Sequence, residues 1–233
     1  MTSEVTIQSL SKELLLRGFD LVVPFQLEWF NSKVKESEQL PSLSKESNLA
    51  ILVGNTKAIW PHFILYLKKS PKSLEKENPF DEFVEREIQD LVQTLEIPSR
   101  IRYAHLPDPE HLPFQKLAEC VGLAYVAKTH LAVHPQYGPW FSLRAVIQLD
   151  QTVELDCPFK LKNPCTDCET QCLPVFEKAA SRQKNLGSDS LKETWQDWLL
   201  VRKSCPIGRE YEFTREQLLY HYTKDKEILR KLL

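Results

Sequence analysis

No stretch of the sequence approaches the roughly 18 consecutive apolar residues of a membrane-spanning helix, so no transmembrane segment and no membrane association are expected. Neither sign of charge dominates: 30 Lys and Arg against 32 Asp and Glu leave a formal net charge of -2 at pH 7. That balance offers no global field for nucleic acid or an anionic bilayer, and a nucleic-acid partner is not expected. The opening stretch MTSEVTIQSLSKELLLRGFD has neither a basic leader nor an unbroken apolar run of the secretory kind, which predicts a cytoplasmic protein. Also missing are a Walker loop, GxGxxG, GxSxG and HExxH, so ATPase, dinucleotide-binding and familiar hydrolase chemistries find no support. Repeats and low-complexity tracts are absent.

What is present is enough for a self-sufficient core: 233 residues, 42% of them hydrophobic. Residues 1–150 read as an αβ core, and 151–233 as a Cys-rich segment with closing helices packed on the same domain. Ile7, Leu10, Leu14 and Leu15 at helical spacing before Gly18 predict a helix over 5–17. Phe19 to Val23 predict a strand ending at Pro24, followed by a helix with Phe25, Trp29, Phe30 and Val34 on one face. The apolar run Leu49–Gly54 predicts a buried strand, with Asn55-Thr56 capping a helix that reaches Leu67. Apolar periodicity between Pro79 and Pro98 gives the clearest helix, Ile101 and Tyr103 a short strand, and 114–121 another helix ending at Gly122. Two strands are expected between Leu123 and Leu149, joined by the loop HPQYGPW, and helices near 190–203, 214–222 and 224–232. The pattern is α+β with one mixed sheet, largely antiparallel.

The HPQYGPW loop is the segment with chemical character. Gly138 permits close backbone approach, Pro135 and Pro139 stiffen the chain, and Trp140 with Phe141 offer flat apolar surface, which suits a large planar ligand such as a corrin or an isoalloxazine. Arg144 on the following strand presents a guanidinium able to pair a carboxylate or phosphate. The plainer reading is a hairpin whose aromatics fill the core and whose Arg144 ties down a buried acid. His105, His111 and His130 have no ligand spacing, and Trp195 with Trp198 reads as a buried helix face.

Three separated stretches resemble the CblC family of cobalamin-processing proteins: Pro24-Phe25-Gln26 with Trp29-Phe30-Asn31, Val121 to Tyr125, and HPQYGPWFSLRAVI from His134 to Ile147. A weaker echo is Trp195-Gln196-Asp197-Trp198 with Tyr211, Gln217 and Tyr220. The resemblance implies a nitroreductase-like αβ sandwich that binds cobalamin base-off beside a flavin, FMN or FAD, and removes or reduces at its upper axial face. It implies that His134, Gly138, Trp140, Phe141 and Arg144 line or support the pocket, with Tyr125 and Gln26 near it. Val126-Ala127-Lys128 stands where animal CblC proteins have a run of tyrosines, and Arg202 and Arg230 lie near, but out of register with, the arginines those proteins use for glutathione. Catalytic residues are not assigned.

Among six cysteines, Cys120 stands alone in a helical pattern and five crowd the last third, Cys157 being a spare. Cys165-x2-Cys168-x3-Cys172 has the spacing of the last three ligands of a ferredoxin-type run, and Cys205-Pro206 is the natural fourth. Such thiolates suit a [4Fe-4S] cluster or a tetrahedral zinc, and unliganded redox thiols are the third reading. The set also resembles the clusters of epoxyqueuosine reductase and the reductive dehalogenases. Two functional classes follow. One is a cyanocobalamin reductase or dealkylase drawing on flavin and iron–sulfur electrons, or a short epoxyqueuosine-reductase-like enzyme. The other is a non-catalytic chaperone handing cobalamin to a downstream cobalamin-dependent protein.

Overall fold

The computed structural model describes residues 3–107, 112–158, 160–165, 169–186 and 191–233. Helix α1 (Ser3–Leu16) buries Leu10 and Leu14 and is stopped at Gly18, whose φ is +90°. Strand β1 (Leu21–Gln26) then runs straight through Pro24. Its position at the sheet edge explains why: a proline lacks only an outward N–H there, so the expected stop is overridden. Phe25 is consequently a strand residue, and the following helix α2 (Leu27–Asn31) is a short turn anchored by Leu27 and Phe30.

Strand β2 (Leu49–Asn55) is buried at all seven positions and precedes α3 (Ile59–Lys69). Asn55 and Thr56 do not cap that helix, whose N-cap is Ala58 without a side-chain bond. Instead Thr56 N–H donates to Asp20 Oδ1 at 2.7 Å, and Asn55 Oδ1 accepts from Arg144 Nε at 2.6 Å, which turns Asn55 to the site described below. Helix α4 (Pro79–Gln93) opens on Pro79, as a missing N–H allows, and leads to β3 (Ser99–Tyr103). Next come α5 (Phe114–Cys120), the short pair β4 (Tyr125–Val126) and β5 (Ala132–Val133), and the long strand β6 (Ser142–Leu149). The C-terminal third holds α6 (Glu169–Leu186), α7 (Leu191–Ser204), α8 (Arg215–Thr223) and α9 (Lys226–Arg230). Helix α6 contains Pro174, a residue that read as loop punctuation.

The main sheet has the order β1-β2-β6-β3, and each of its pairings is antiparallel. The mixed sheet expected from the sequence differs for a topological reason. β2 and β3 run the same way across α3 and α4, but β6 lies between them and opposes both. Alternation along β2 divides two apolar layers: Leu49, Ile51 and Val53 join α1, α3 and α4 in one, while Ala50 and Leu52 join Phe25, Phe30 and α5 in the other. Val153, Tyr220 and Leu229 belong to the first layer. No helix among the described residues is long and apolar enough to cross a membrane.

Candidate functional site

The segment His134–Phe141 is a turn closed on itself and bolted to the C-terminal region. His134 N–H donates to Gly138 O at 2.8 Å, and Gly138 N–H returns to His134 O at 2.9 Å. His134 Nδ1 accepts from the backbone N–H groups of Gln136 (3.1 Å) and Tyr137 (3.2 Å), which leaves the ring proton on Nε2. Burial lowers the His134 pKa, with Asp20 opposing, so the ring is a neutral acceptor inside its own turn rather than a metal-facing base. Gly138, at φ +56°, sits so close to the Ile207 carbonyl that a Cβ would overlap it, and Gly208 abuts Tyr137 in the same way. Gln136 Nε2 adds a bond to Tyr211 Oη at 2.8 Å.

Trp140 faces inward. It is 1% exposed, and the Arg202 guanidinium lies over its ring. Arg202 Nε and Nη2 donate to Pro139 O at 2.9 and 2.6 Å, and Nη2 also to Phe141 O at 3.2 Å. Trp140 therefore supports the turn, while Pro139 and Phe141 present it to a cleft of about 420 Å³ that also exposes Ser142, Arg144 and Tyr222. Through Ala104, Phe114 and Gln115 this cleft continues into a chamber of about 580 Å³ that joins apolar Leu112, Pro113 and Val126 with the charged Lys116 and Glu119. On the other side, through Ser142, Arg144, Arg202 and Tyr222, it meets a chamber of about 290 Å³ with His221 and Lys224.

That last chamber is cationic. Arg144 and Arg202 are half-buried, and their hydrogen bonds run to neutral oxygens. Desolvation brings Arg144 down to about 10, with Asp81 opposing and Arg202 adding to the fall; desolvation lowers Arg202 likewise. His221 is held well below the ordinary histidine range by burial and then by Arg144, Lys224 and Arg202. Two guanidiniums and an ammonium around one opening favour an anionic group there. The Arg144 guanidinium also stacks on Phe80 at 4.7 Å, which fixes its plane.

Phe141 and Arg144 thus meet at the cleft, with Trp140, Gly138 and His134 holding the turn behind them. Gln26 does not join them. Its amide donates to Val153 O (3.2 Å) and accepts from Leu155 N–H (3.4 Å), tying the segment after β6 to β1. Tyr125 pairs with Val133 and lines a cavity of about 500 Å³ beside Trp29 and Cys120, which shares Lys116 and Glu119 with the 580 Å³ chamber but none of the residues of the central cleft. Sequence reasoning gave His105, Phe114 and Tyr222 no place in the cleft, because elements far apart in the chain bring them together without any shared local spacing.

Cys165 and Cys205 share a small buried cluster with Ala127 and Val133. Cys172, also buried, lies in the opening turns of α6. Phe176 meets Trp198 and Arg182 pairs with Asp197, so α6 and α7 run antiparallel and bring Cys172 to the end of the hairpin that carries Cys205. Cys168 and His111 lie outside the described residues. Among the described residues no group of three or more His, Cys, Asp or Glu side chains forms a metal site.

No family model matches the chain. Two relatives named cyanocobalamin reductase / alkylcobalamin dealkylase align along most of it. The mouse protein is 23% identical over 243 residues, covering 97% of this chain and 81% of the relative. The zebrafish protein is 23% identical over 235 residues, covering 92% and 87%. Among solved structures, the C. elegans B12-trafficking protein CblC superposes with a TM-score of 0.71 at 16% identity, covering 99% of this chain and 96% of that one. An epoxyqueuosine reductase gives 0.58 at 14% identity, covering 97% and 71%. Along nearly its whole length the chain resembles the cyanocobalamin reductase / alkylcobalamin dealkylase proteins, and its fold is that of the nematode CblC.

Proposed function

We propose that the chain binds cobalamin in the cleft between the start of β6 and helices α7 and α8, and reduces it or removes its upper axial ligand. The observation that carries this reading is the three-chambered cleft. Phe141 and Phe114 supply flat apolar walls for a broad ring, and Arg144, Arg202 and Lys224 supply a cationic end for an anionic group. Full-length similarity to cyanocobalamin reductase / alkylcobalamin dealkylase names the ligand class.

A flavin belongs to this reading as well and would supply the electrons when bound. The nitroreductase-like sandwich belongs to this reading, as do an electron donor and a cytoplasmic setting. For the thiols Cys165, Cys168, Cys172 and Cys205 we propose a metal centre, iron–sulfur or zinc, which the shared burial of Cys165 and Cys205 supports. The described residues do not complete its ligand set, so no step is routed through it.

The test is anaerobic absorption spectroscopy of the purified chain with cyanocobalamin, with and without a reduced flavin. Binding followed by conversion to cob(II)alamin supports an enzyme, binding without conversion supports a chaperone, and no binding removes the assignment. Metal analysis of the same sample, with the Cys205→Ser variant beside it, decides the thiol site: neither iron nor zinc in the wild type refutes it.

A further inference from the structure

His105 follows β3 and stands on the wall of the central cleft with Phe141, Arg144 and Tyr222. Its Nε2 lies 2.7 Å from Glu85 Oε1 of α4, and its ring packs against Tyr103 at 5.5 Å. Tyr103 is fixed in turn by its hydroxyl, which donates to the Glu85 carbonyl at 3.3 Å. The imidazole is therefore held from two sides, by a carboxylate and an aromatic ring, on a wall open to both ligand and water. Carboxylate–imidazole pairing of this kind orients the ring and leaves its second nitrogen for chemistry. The ionisable groups around that wall are Glu85 from α4, Tyr103 from β3, Arg144 from β6, Arg202 from α7 and Tyr222 from α8. Of these, the arginines hold their protons too firmly to release them. Sequence spacing gave His105 no role, and the turn histidine His134 has its Nδ1 committed to its own backbone.

We infer that His105, oriented by Glu85, is the proton donor to the ligand leaving cobalt during reductive decyanation. The step balances as cyanocob(III)alamin plus one electron plus one proton giving cob(II)alamin plus hydrogen cyanide. The cobalt–carbon bond breaks with its electron pair on carbon, and cobalt takes one electron from a reduced flavin. The proton comes from the imidazolium nitrogen not engaged by Glu85 and is replaced by water through the open cleft. Cyanide is a stronger base than imidazole, so protonation as it departs prevents recapture by cobalt.

This inference rests on the cobalamin reading, and one experiment separates the two. Decyanation by the full chain is followed as cob(II)alamin absorbance under anaerobic conditions with excess reduced flavin, from pH 5 to 8, for wild type, His105→Gln, His105→Asn and Glu85→Gln. His105→Gln keeps an N–H toward Glu85 but cannot titrate. It should lose roughly 100-fold in kcat, far more than any change in cyanocobalamin affinity, with the fall in rate toward high pH replaced by a flat profile. Glu85→Gln should show a smaller loss of kcat with KM unchanged. Wild-type kcat and pH profile in both His105 variants would overturn the inference and leave the function standing. If wild type neither binds nor reduces cyanocobalamin, the reading itself fails and the inference with it.

Discussion

The Arg202 guanidinium carbon lies 4.9 Å from the ring centroids of both Trp140 and Phe213, clamped between a residue of the 134–141 turn and one that precedes α8. Its nitrogens meanwhile hold the carbonyls of Pro139 and Phe141. One side chain thus joins α7 to the wall of the cleft by stacking and by directional bonds together. Lysine can supply the charge but not the planar fork. Arg202→Lys is expected to lower stability by about 1–3 kcal/mol, from lost charge-assisted bonds and lost stacking, and Arg202→Met by more, since two carbonyls then lose their donors. Urea unfolding monitored by tryptophan fluorescence measures both. Equal stability of wild type and Arg202→Met would show that the clamp carries no energy.

The contact between Gly138 and Ile207 leads to a second expectation. Both Gly138 and Gly208 have positive φ, and each lies against the backbone of the other's segment. Gly138→Ala meets backbone strain and a collision with a carbonyl that has no flexible end to swing aside. Strain of this kind costs about 1–3 kcal/mol before the collision is counted. The variant should unfold at lower temperature and admit protease near 134–141, whereas alanine at Gly54, whose φ is ordinary, should be milder. A Gly138→Ala protein as stable as wild type would mean that the turn is not seated on Ile207.

How far the sequence revealed these arrangements depends on how local each cause was. β2 is legible because a strand covered on both faces must be apolar at every position, and α4 because its apolar stripe runs from Phe80 to Val92 between two prolines. Pro24 misled because proline's cost depends on whether its missing N–H would have been bonded, and its place on an edge strand belongs to topology rather than to the local sequence. Pro174 lies inside α6, where its N–H would have been bonded, and nothing in the structure explains why the helix accepts it. Asn55 looked like a cap because the pull of Arg144, eighty-nine positions away, is invisible in a window of neighbours. The turn from His134 to Phe141 was recognisable as a unit. Which of its rings would face outward was not, because Arg202 and Phe213 decide that Trp140 is the buried one.

His221 gives a pH expectation with a definite sign. Burial, and then the nearby positive charges Arg144, Lys224 and Arg202, keep its folded pKa well below 6.5. In the unfolded chain the ring titrates near 6.5. Below that pH the unfolded state takes a proton that the folded state refuses, so stability is full above it and falls as pH drops toward the depressed native value. Wild type should therefore lose melting temperature between pH 7 and 5 more steeply than His221→Gln does. Parallel curves for the two proteins would show that His221 titrates alike in both states.

Arg144 offers the most direct check on where the ligand's anionic group sits. Its guanidinium is fixed in plane by Phe80 and in direction by Asn55, so it is prepared before any ligand arrives and loses little side-chain freedom on binding. Removing the charge while keeping the stem, as in Arg144→Met, should weaken cobalamin binding by about 10- to 100-fold, the worth of one charge-assisted hydrogen bond of roughly 1.5–3 kcal/mol. Asn55→Ala, which frees the guanidinium without removing it, should lose less. Phe141→Ala strips an apolar wall and should weaken binding independently, so the double variant with Arg144→Met should be close to additive if the two groups grip different parts of one ligand. Titration of the visible absorbance of cobalamin reports wild type and all four variants on one scale. Unchanged affinity in Arg144→Met together with a loss in Phe141→Ala would leave the ring in the cleft but move its anionic end away from β6, toward Arg202 and Lys224.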